Sequence, residues 1–151
     1  MSDQPATQIR TFRLDAPLER VMPLFTAEGE RGWAAGWEPV MLSGAVERGS
    51  AFVTRASSGI ETTWIVADYR PAEGRVSYAR LAQGSNIGLV DVTCIAEGAG
   101  TVVSVRYTLT GVSEPGRAFV REFLEPANYA RMIDEWHVAT SAALDGKPLS
   151  H

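Results

Sequence analysis

The sequence has a single cysteine, Cys94, and a single lysine, Lys147, among its 151 residues. One cysteine excludes an internal disulfide and fits a reducing compartment. No apolar run approaches the roughly 18 residues that a membrane-spanning helix needs. Residues 1–11 are polar and lack the apolar stretch of a signal peptide. We therefore expect a cytoplasmic protein without a membrane span.

The sequence also lacks a basic cluster. Its formal net charge is −4 and its pI is near 5.2, and the arginines are scattered along the chain. This balance argues against a nucleic-acid partner, because nucleic-acid binders usually present a basic face. With 45% hydrophobic and 21% charged residues, the composition is that of a globular protein. We expect one domain over residues 1–151, with a core at about 8–146.

Motifs for metal binding or nucleophilic catalysis are missing as well. His137 is the only internal histidine, and no second histidine lies at a useful spacing from it. Neither Cys94 nor any serine lies in a nucleophile motif. The Gly98–Gly100 stretch leads into a strand rather than a helix, so it is not a phosphate loop. We expect neither a metal nor a cofactor.

Alternation predicts a first strand at 8–14 with one buried face. One face carries Ile9, Thr11 and Arg13, and the other carries Arg10, Phe12 and Leu14. Asp15 is then a candidate N-cap, with Pro17 in the first helical turn. Pro23 predicts that this helix is short or kinked. Residues 26–35 fit a second short helix.

Short strands divided by turn residues fill the middle of the chain. We predict strands at 41–46, 50–56, 60–69, 75–81, 87–96 and 101–109. The last two flank the hairpin signal at 97–100. In the last strand, Val103, Val105, Tyr107 and Leu109 share one face. Short turns predict antiparallel pairing between neighbouring strands.

The final third is helical, from an N-cap at Ser113 to Gly146. Two apolar stripes, at 119–124 and 129–144, are out of phase by roughly 150° at 100° per residue. A straight helix cannot bury both against one sheet, so we predict a kink or break at Pro126, with two segments that cover different surfaces. Segregated strands and helices indicate an α+β protein.

Two stretches carry a family resemblance. One is Leu24-Phe25-Thr26-Ala27-Glu28-Gly29-Glu30-Arg31-Gly32-Trp33 with Gly36-Trp37, and the other runs from Tyr107 through Gly116 and Phe119 to Trp136. Together with the element order, they resemble the START-related, Bet v 1-like proteins, also called SRPBCC or polyketide cyclase-like proteins. The resemblance spans about residues 9–144.

This resemblance implies the helix-grip fold, in which a curved antiparallel sheet of about seven strands wraps around a long C-terminal helix above a pocket. Members of this group bind lipids, sterols, aromatic polyketides or plant hormones. Some catalyse cyclisation or dehydration, and others are co-chaperones. The resemblance carries no invariant catalytic set onto these residues, so the fold does not define the function.

All four tryptophans fall where the resemblance places the cavity or its mouth. An apolar pocket lined by aromatic side chains is the usual small-molecule site. For Trp136 we favour core packing, whereas Trp33 and Trp37 fit a pocket rim equally well. The candidate ligand-binding residues are Trp33, Trp37, Trp64, Tyr78, Tyr129, Met132, Trp136 and His137.

The register of residues 60–69 determines what faces the cavity. We favour Trp64 inward, which leaves Glu61 and Arg55 outside as a cross-strand pair. The opposite register would bury both charges and point to a function. Asp91 is expected on the solvent face, with a ligand anchor as its alternative.

Three functions remain open on the sequence. The first is a binding protein for a small hydrophobic molecule, such as a lipid, an aromatic or a polyketide-like compound. The second is a cyclase or dehydratase with His137, or a buried carboxylate, as general acid or base. The third is a co-chaperone-like interaction module with an exposed apolar patch. A homodimer through the sheet edge or the helical segment is also compatible with the sequence.

Overall fold

A seven-stranded antiparallel sheet dominates the computed structural model, which describes residues 5–43, 46–56 and 58–146. The strands are β1 (Ala6–Leu14), β2 (Val40–Met41), β3 (Ala51–Arg55), β4 (Glu61–Arg70), β5 (Arg75–Ala82), β6 (Asn86–Glu97) and β7 (Gly100–Gly111). Their order across the sheet is β1-β7-β6-β5-β4-β3-β2. The meander from β2 to β7 therefore ends beside β1.

Four α-helices accompany the sheet in the described residues: α1 (Leu18–Val21), α2 (Ala27–Glu30), α3 (Glu114–Phe123) and α4 (Pro126–Leu144). The described residues also form two 3₁₀ turns, Met22–Phe25 and Pro71–Glu73. The sheet curves around the 19-residue α4, so the predicted α+β helix-grip architecture is confirmed.

Side-chain alternation along β7 follows the predicted pattern. Val103, Val105, Tyr107 and Leu109 are all buried on the concave face of the sheet. Phe12 and Leu14 of β1 are buried on the same side, whereas Ile9 is 55% exposed. The concave face thus supplies the apolar surface against which the helices pack.

The C-terminal helical region is divided as predicted. Between α3 and α4, the side chain of Glu125 accepts hydrogen bonds from the backbone N–H groups of Ala127 and Asn128. These bonds satisfy N–H groups at the start of α4, which stabilises the break. Tyr129 then donates its hydroxyl to the carbonyl oxygen of Val105 at 2.6 Å, which fixes α4 to β7. Gly146, at φ 74°, follows the helix in the left-handed conformation.

Three local predictions are wrong. Asp15 does not cap α1, because its carboxylate pairs with Arg13 and the N-cap position belongs to Pro17. The strand predicted at 41–46 is only Val40–Met41 in the structure, where Leu42 and Ser43 form a bend. Positions 44 and 45 lie outside the described residues. The helix predicted at 26–35 ends at Glu30, after which the chain continues in turns.

Candidate functional site

A cavity of about 240 Å³ lies between the concave face of the sheet, α4 and the segment around α2. Aromatic and aliphatic side chains form most of its wall, together with one acidic and one basic side chain. The lining residues are Phe25, Glu30, Ala34, Trp37, Phe52, Trp64, Tyr78, Arg80, Val90, Val92, Tyr107, Phe123, Met132 and Trp136. This combination is typical of a small-molecule pocket.

The α2 segment, residues 26–37, has several hydrogen bonds to nearby residues of the chain. Thr26 caps α2 by accepting a hydrogen bond from the N–H of Gly29 at 3.0 Å. The indole of Trp33 donates to the carbonyl oxygen of Leu24 at 2.7 Å, and that of Trp37 donates to Ala27 at 2.9 Å. These bonds position Glu30 and Trp37 along the cavity wall.

Glu30 places a carboxyl group in this cavity. Burial raises the pKa of Glu30 to about 8, because an ionised carboxylate loses its hydration there. The ion pairs among the described residues all involve other side chains. At neutral pH the group is therefore mostly protonated, and it can donate a hydrogen bond or a proton.

Arg80 supplies the basic group of the cavity. It is directly opposite Trp64 on β4, and its guanidinium carbon lies 5.2 Å from the centre of the Trp64 ring. The Nε atom of Arg80 is buried without a hydrogen-bond partner. Burial lowers the pKa of Arg80, while nearby Tyr107 favours its charged form. A guanidinium stays charged under these conditions.

Two tyrosines, Tyr78 and Tyr107, add hydroxyl groups to the cavity wall. The hydroxyl of Tyr78 donates to the carbonyl oxygen of Phe25, so it is already engaged. Burial raises the pKa of Tyr78 and of Tyr107 above the ordinary value for tyrosine. Both hydroxyls are therefore neutral near pH 7. A neutral acid, a cation and neutral hydroxyls share one apolar enclosure.

Five of the eight predicted site residues line this cavity: Trp37, Trp64, Tyr78, Met132 and Trp136. Trp64 is inward and buried, as predicted. The predicted outer pair is also present, with Arg55 Nη2 and Glu61 Oε2 3.0 Å apart. Asp91 accepts a hydrogen bond from Ser77 at 2.6 Å and is not a cavity-lining residue.

Trp33, Tyr129 and His137 do not line the cavity, which corrects the predicted set. Trp33 is buried behind the wall and packs edge-on against Trp136, with ring centres 5.2 Å apart. Tyr129 is buried between α4 and the sheet, where its hydroxyl donates to the β7 backbone. His137 stacks on Phe12 at 5.0 Å instead of facing the pocket.

Glu30 and Arg80 were not among the site residues predicted from the sequence. Arg80 shares the strand face of Tyr78, two residues away, so β-strand periodicity could have identified it. Glu30 lies where the chain leaves α2, and no regular period continues through that segment. Its spacing to Ala34 and Trp37 is the only sequence signal for a shared face.

No described helix combines the length and apolarity required to cross a membrane.

Three solved structures are similar in fold to this chain. A protein from Rhizobium leguminosarum matches with a TM-score of 0.66 and 18% identity, over 87% of this chain and 91% of its own. The structure of Ara h 8.0201 matches with a TM-score of 0.61 and 10% identity, over 78% of this chain and 89% of that one.

The third structure is DynU16, a protein of the dynemicin biosynthetic locus, with a TM-score of 0.65 and 15% identity. The match covers 98% of this chain and 49% of DynU16. At such identities these matches establish the fold alone. Together with the match to a family model, they place the chain in the SRPBCC, Bet v 1-like superfamily. A comparison with curated proteins gave no match. The family model for polyketide cyclase / dehydrase and lipid transport matches residues 8–137, so the chain belongs to that family.

Proposed function

We propose that the protein binds a small, largely apolar molecule in the cavity beneath α4. The observation that carries this proposal is the enclosure of about 240 Å³ with an aromatic wall. Burying apolar ligand surface there drives binding, and the few polar groups set the orientation. The family, which includes lipid transport in its description, is consistent with such a ligand.

Native mass spectrometry of the protein purified from its own host tests this proposal. A defined copurifying compound, released and identified, is the expected result. A thermal-shift screen of lipids and aromatic compounds provides the second arm. An empty protein whose melting temperature responds to none of these compounds contradicts the proposal.

We infer acid–base catalysis as a second candidate, favoured by the protonated carboxyl of Glu30 inside the cavity. A carboxyl with a pKa near the working pH is an effective general acid. Any copurified compound would be incubated with the wild type, Glu30→Gln and Glu28→Gln. Glu28 is the matched control because it is exposed on the same helix and pairs with Arg31.

Catalysis by Glu30 requires turnover in the wild type and in Glu28→Gln, with a loss of about a hundredfold or more in Glu30→Gln. An unchanged compound in the wild-type reaction excludes catalysis on it. Equal rates in the wild type and Glu30→Gln exclude Glu30 as the acid.

A further inference from the structure

We propose that the ligand of this cavity carries a carboxylate group, which pairs with the guanidinium of Arg80. This inference rests on the binding function proposed above and adds the chemical class of the ligand. It derives from a partly buried cation in the cavity wall, for which the described residues supply no counter-ion.

The lack of an ion-pair partner for Arg80 is unusual for an arginine that lines a cavity. The seven ion pairs among the described residues involve arginines 10, 13, 31, 55 and 70, whose side chains are at least 43% exposed. Arg80 instead lines the cavity, with a buried Nε that has no partner. Buried charges are normally paired, because losing hydration costs several kcal/mol per ion. A ligand anion would supply the missing partner.

The other titratable groups of the cavity do not neutralise Arg80. Glu30 is mostly protonated at neutral pH, and Tyr78 and Tyr107 are neutral hydroxyls. The described lining residues therefore carry a net positive charge at pH 7. A protonated Glu30 also avoids the repulsion that an ionised carboxylate would exert on an anionic ligand.

The sheet holds Arg80 in place before any ligand arrives. Arg80 is paired with Trp64 on one side and with Gly88 on the other. The Trp64 ring beneath the guanidinium is itself fixed, because its Nε1 donates to Thr54 at 2.9 Å. The cation–π contact offsets part of the desolvation cost and orients the guanidinium. Such preorganisation reduces the entropy lost on binding.

The volume of the cavity and the chemistry of its wall restrict the class of ligand further. The cavity of about 240 Å³ is slightly below the roughly 300 Å³ at which drug-sized pockets begin. The rest of the wall consists mainly of aromatic rings and aliphatic side chains. A guanidinium prefers planar, bidentate carboxylates. We therefore expect a compact, flat apolar body with one carboxylate.

Two matched probes test this inference, naphthalene-2-carboxylate and its neutral amide, naphthalene-2-carboxamide. They differ in charge and little in shape. Affinities for the full-length wild type are measured by isothermal titration calorimetry at pH 7, with tryptophan fluorescence as a second readout. We expect the carboxylate to bind at least about tenfold more tightly than the amide.

Three variants assign this preference to a residue. Arg80→Met should lower carboxylate affinity about tenfold or more and leave the amide within about threefold. Arg80→Lys should keep part of the preference, because it keeps the charge but loses the bidentate fork. Arg106→Met is the control, since Arg106 is exposed on β7, and it should bind as the wild type does.

The outcomes separate the two proposals. Equal affinity of the wild type for both probes overturns the carboxylate inference but leaves small-molecule binding intact. The same holds if Arg106→Met loses the preference as Arg80→Met does. If neither probe binds the wild type and the broader screen is also negative, the binding function fails and the inference fails with it. The wild-type comparison stands even if Arg80→Met does not fold.

Discussion

Tyr78 of β5 donates its hydroxyl to the backbone carbonyl of Phe25, in the 3₁₀ turn that precedes α2. The bond joins the sheet to the part of the chain that carries Glu30. A buried carbonyl without this donor would have to remain unsatisfied or move toward water. One side chain of the wall thus also anchors the acid-bearing segment.

Tyr78→Phe should lower the free energy of unfolding by about 1–2 kcal/mol, because it leaves the Phe25 carbonyl without its partner. Urea denaturation measures this loss. Tyr129→Phe is the matched comparison, since it removes a similar bond from α4 to Val105. Only Tyr78→Phe should also change the Glu30 titration followed by NMR. If Tyr78→Phe left the titration of Glu30 unchanged, the hydrogen bond from Tyr78 to Phe25 would not determine the position of the Glu30 carboxyl group.

Glu30→Gln should remove a pH dependence of stability. Because the folded-state pKa of Glu30 is about 8 and its ordinary value is 4.5, the folded protein binds more protons between these values. The wild type therefore loses stability as pH rises from about 4.5 to 8, by about 1.4 kcal/mol per unit of pKa difference at most.

Thermal denaturation from about pH 4 to about pH 9 checks this prediction. Glu30→Gln should match the wild type at the acid end and exceed it above about pH 8, since an amide carries no charge. Glu28→Gln, on the exposed side of α2, should follow the wild-type profile. Parallel profiles for the wild type and Glu30→Gln would mean that Glu30 is ionised without penalty.

Gly29→Ala should destabilise the protein by about 1–3 kcal/mol through overpacking. A Cβ atom at Gly29 would lie 1.7 Å from the carbonyl oxygen of Pro23, so the backbone must shift. Gly32→Ala is the control, because its nearest contact would be an ordinary 3.5 Å. Melting temperatures measure both variants, and equal values would contradict the crowding at Gly29.

Trp136→Ala should lower stability by about 3 kcal/mol, because its ring packs against Phe25, Trp33 and Tyr107. Trp37→Ala should weaken ligand binding more than folding, since Trp37 lies at the cavity wall on a locally bonded segment. Thermal shift and calorimetry with a naphthalene probe compare the two. A melting temperature for Trp37→Ala as low as that of Trp136→Ala would refute this division.

The regular helices and strands were predictable because the spacing of their apolar residues shows which face is buried. Alternation in β7 predicted four buried side chains, and the phase mismatch before Pro126 predicted the break between α3 and α4. Trp64 was placed inward for the same reason. In each case the local pattern and the tertiary contacts favour the same face.

The charged site residues were not predictable in this way. Charged side chains are mostly exposed, so Glu30 and Arg80 look like surface residues until the fold encloses them. His137 has suitable chemistry, but the position of α4 places it on Phe12. Trp33 is aromatic in the expected segment, yet its hydrogen bond to Leu24 holds it behind the wall. Tertiary geometry, rather than residue type, decides these assignments.

The two charge-bearing positions of the cavity differ in how the fold constrains them. Arg80 lies in a strand paired on both sides, where a one-residue slip would turn every side chain to the other face. Glu30 lies in a segment closed largely by local hydrogen bonds. Mutations within residues 26–37 can therefore replace the acid without altering the register of the sheet. A different side chain at position 30 would change the chemistry of the cavity while the strands keep their pairing.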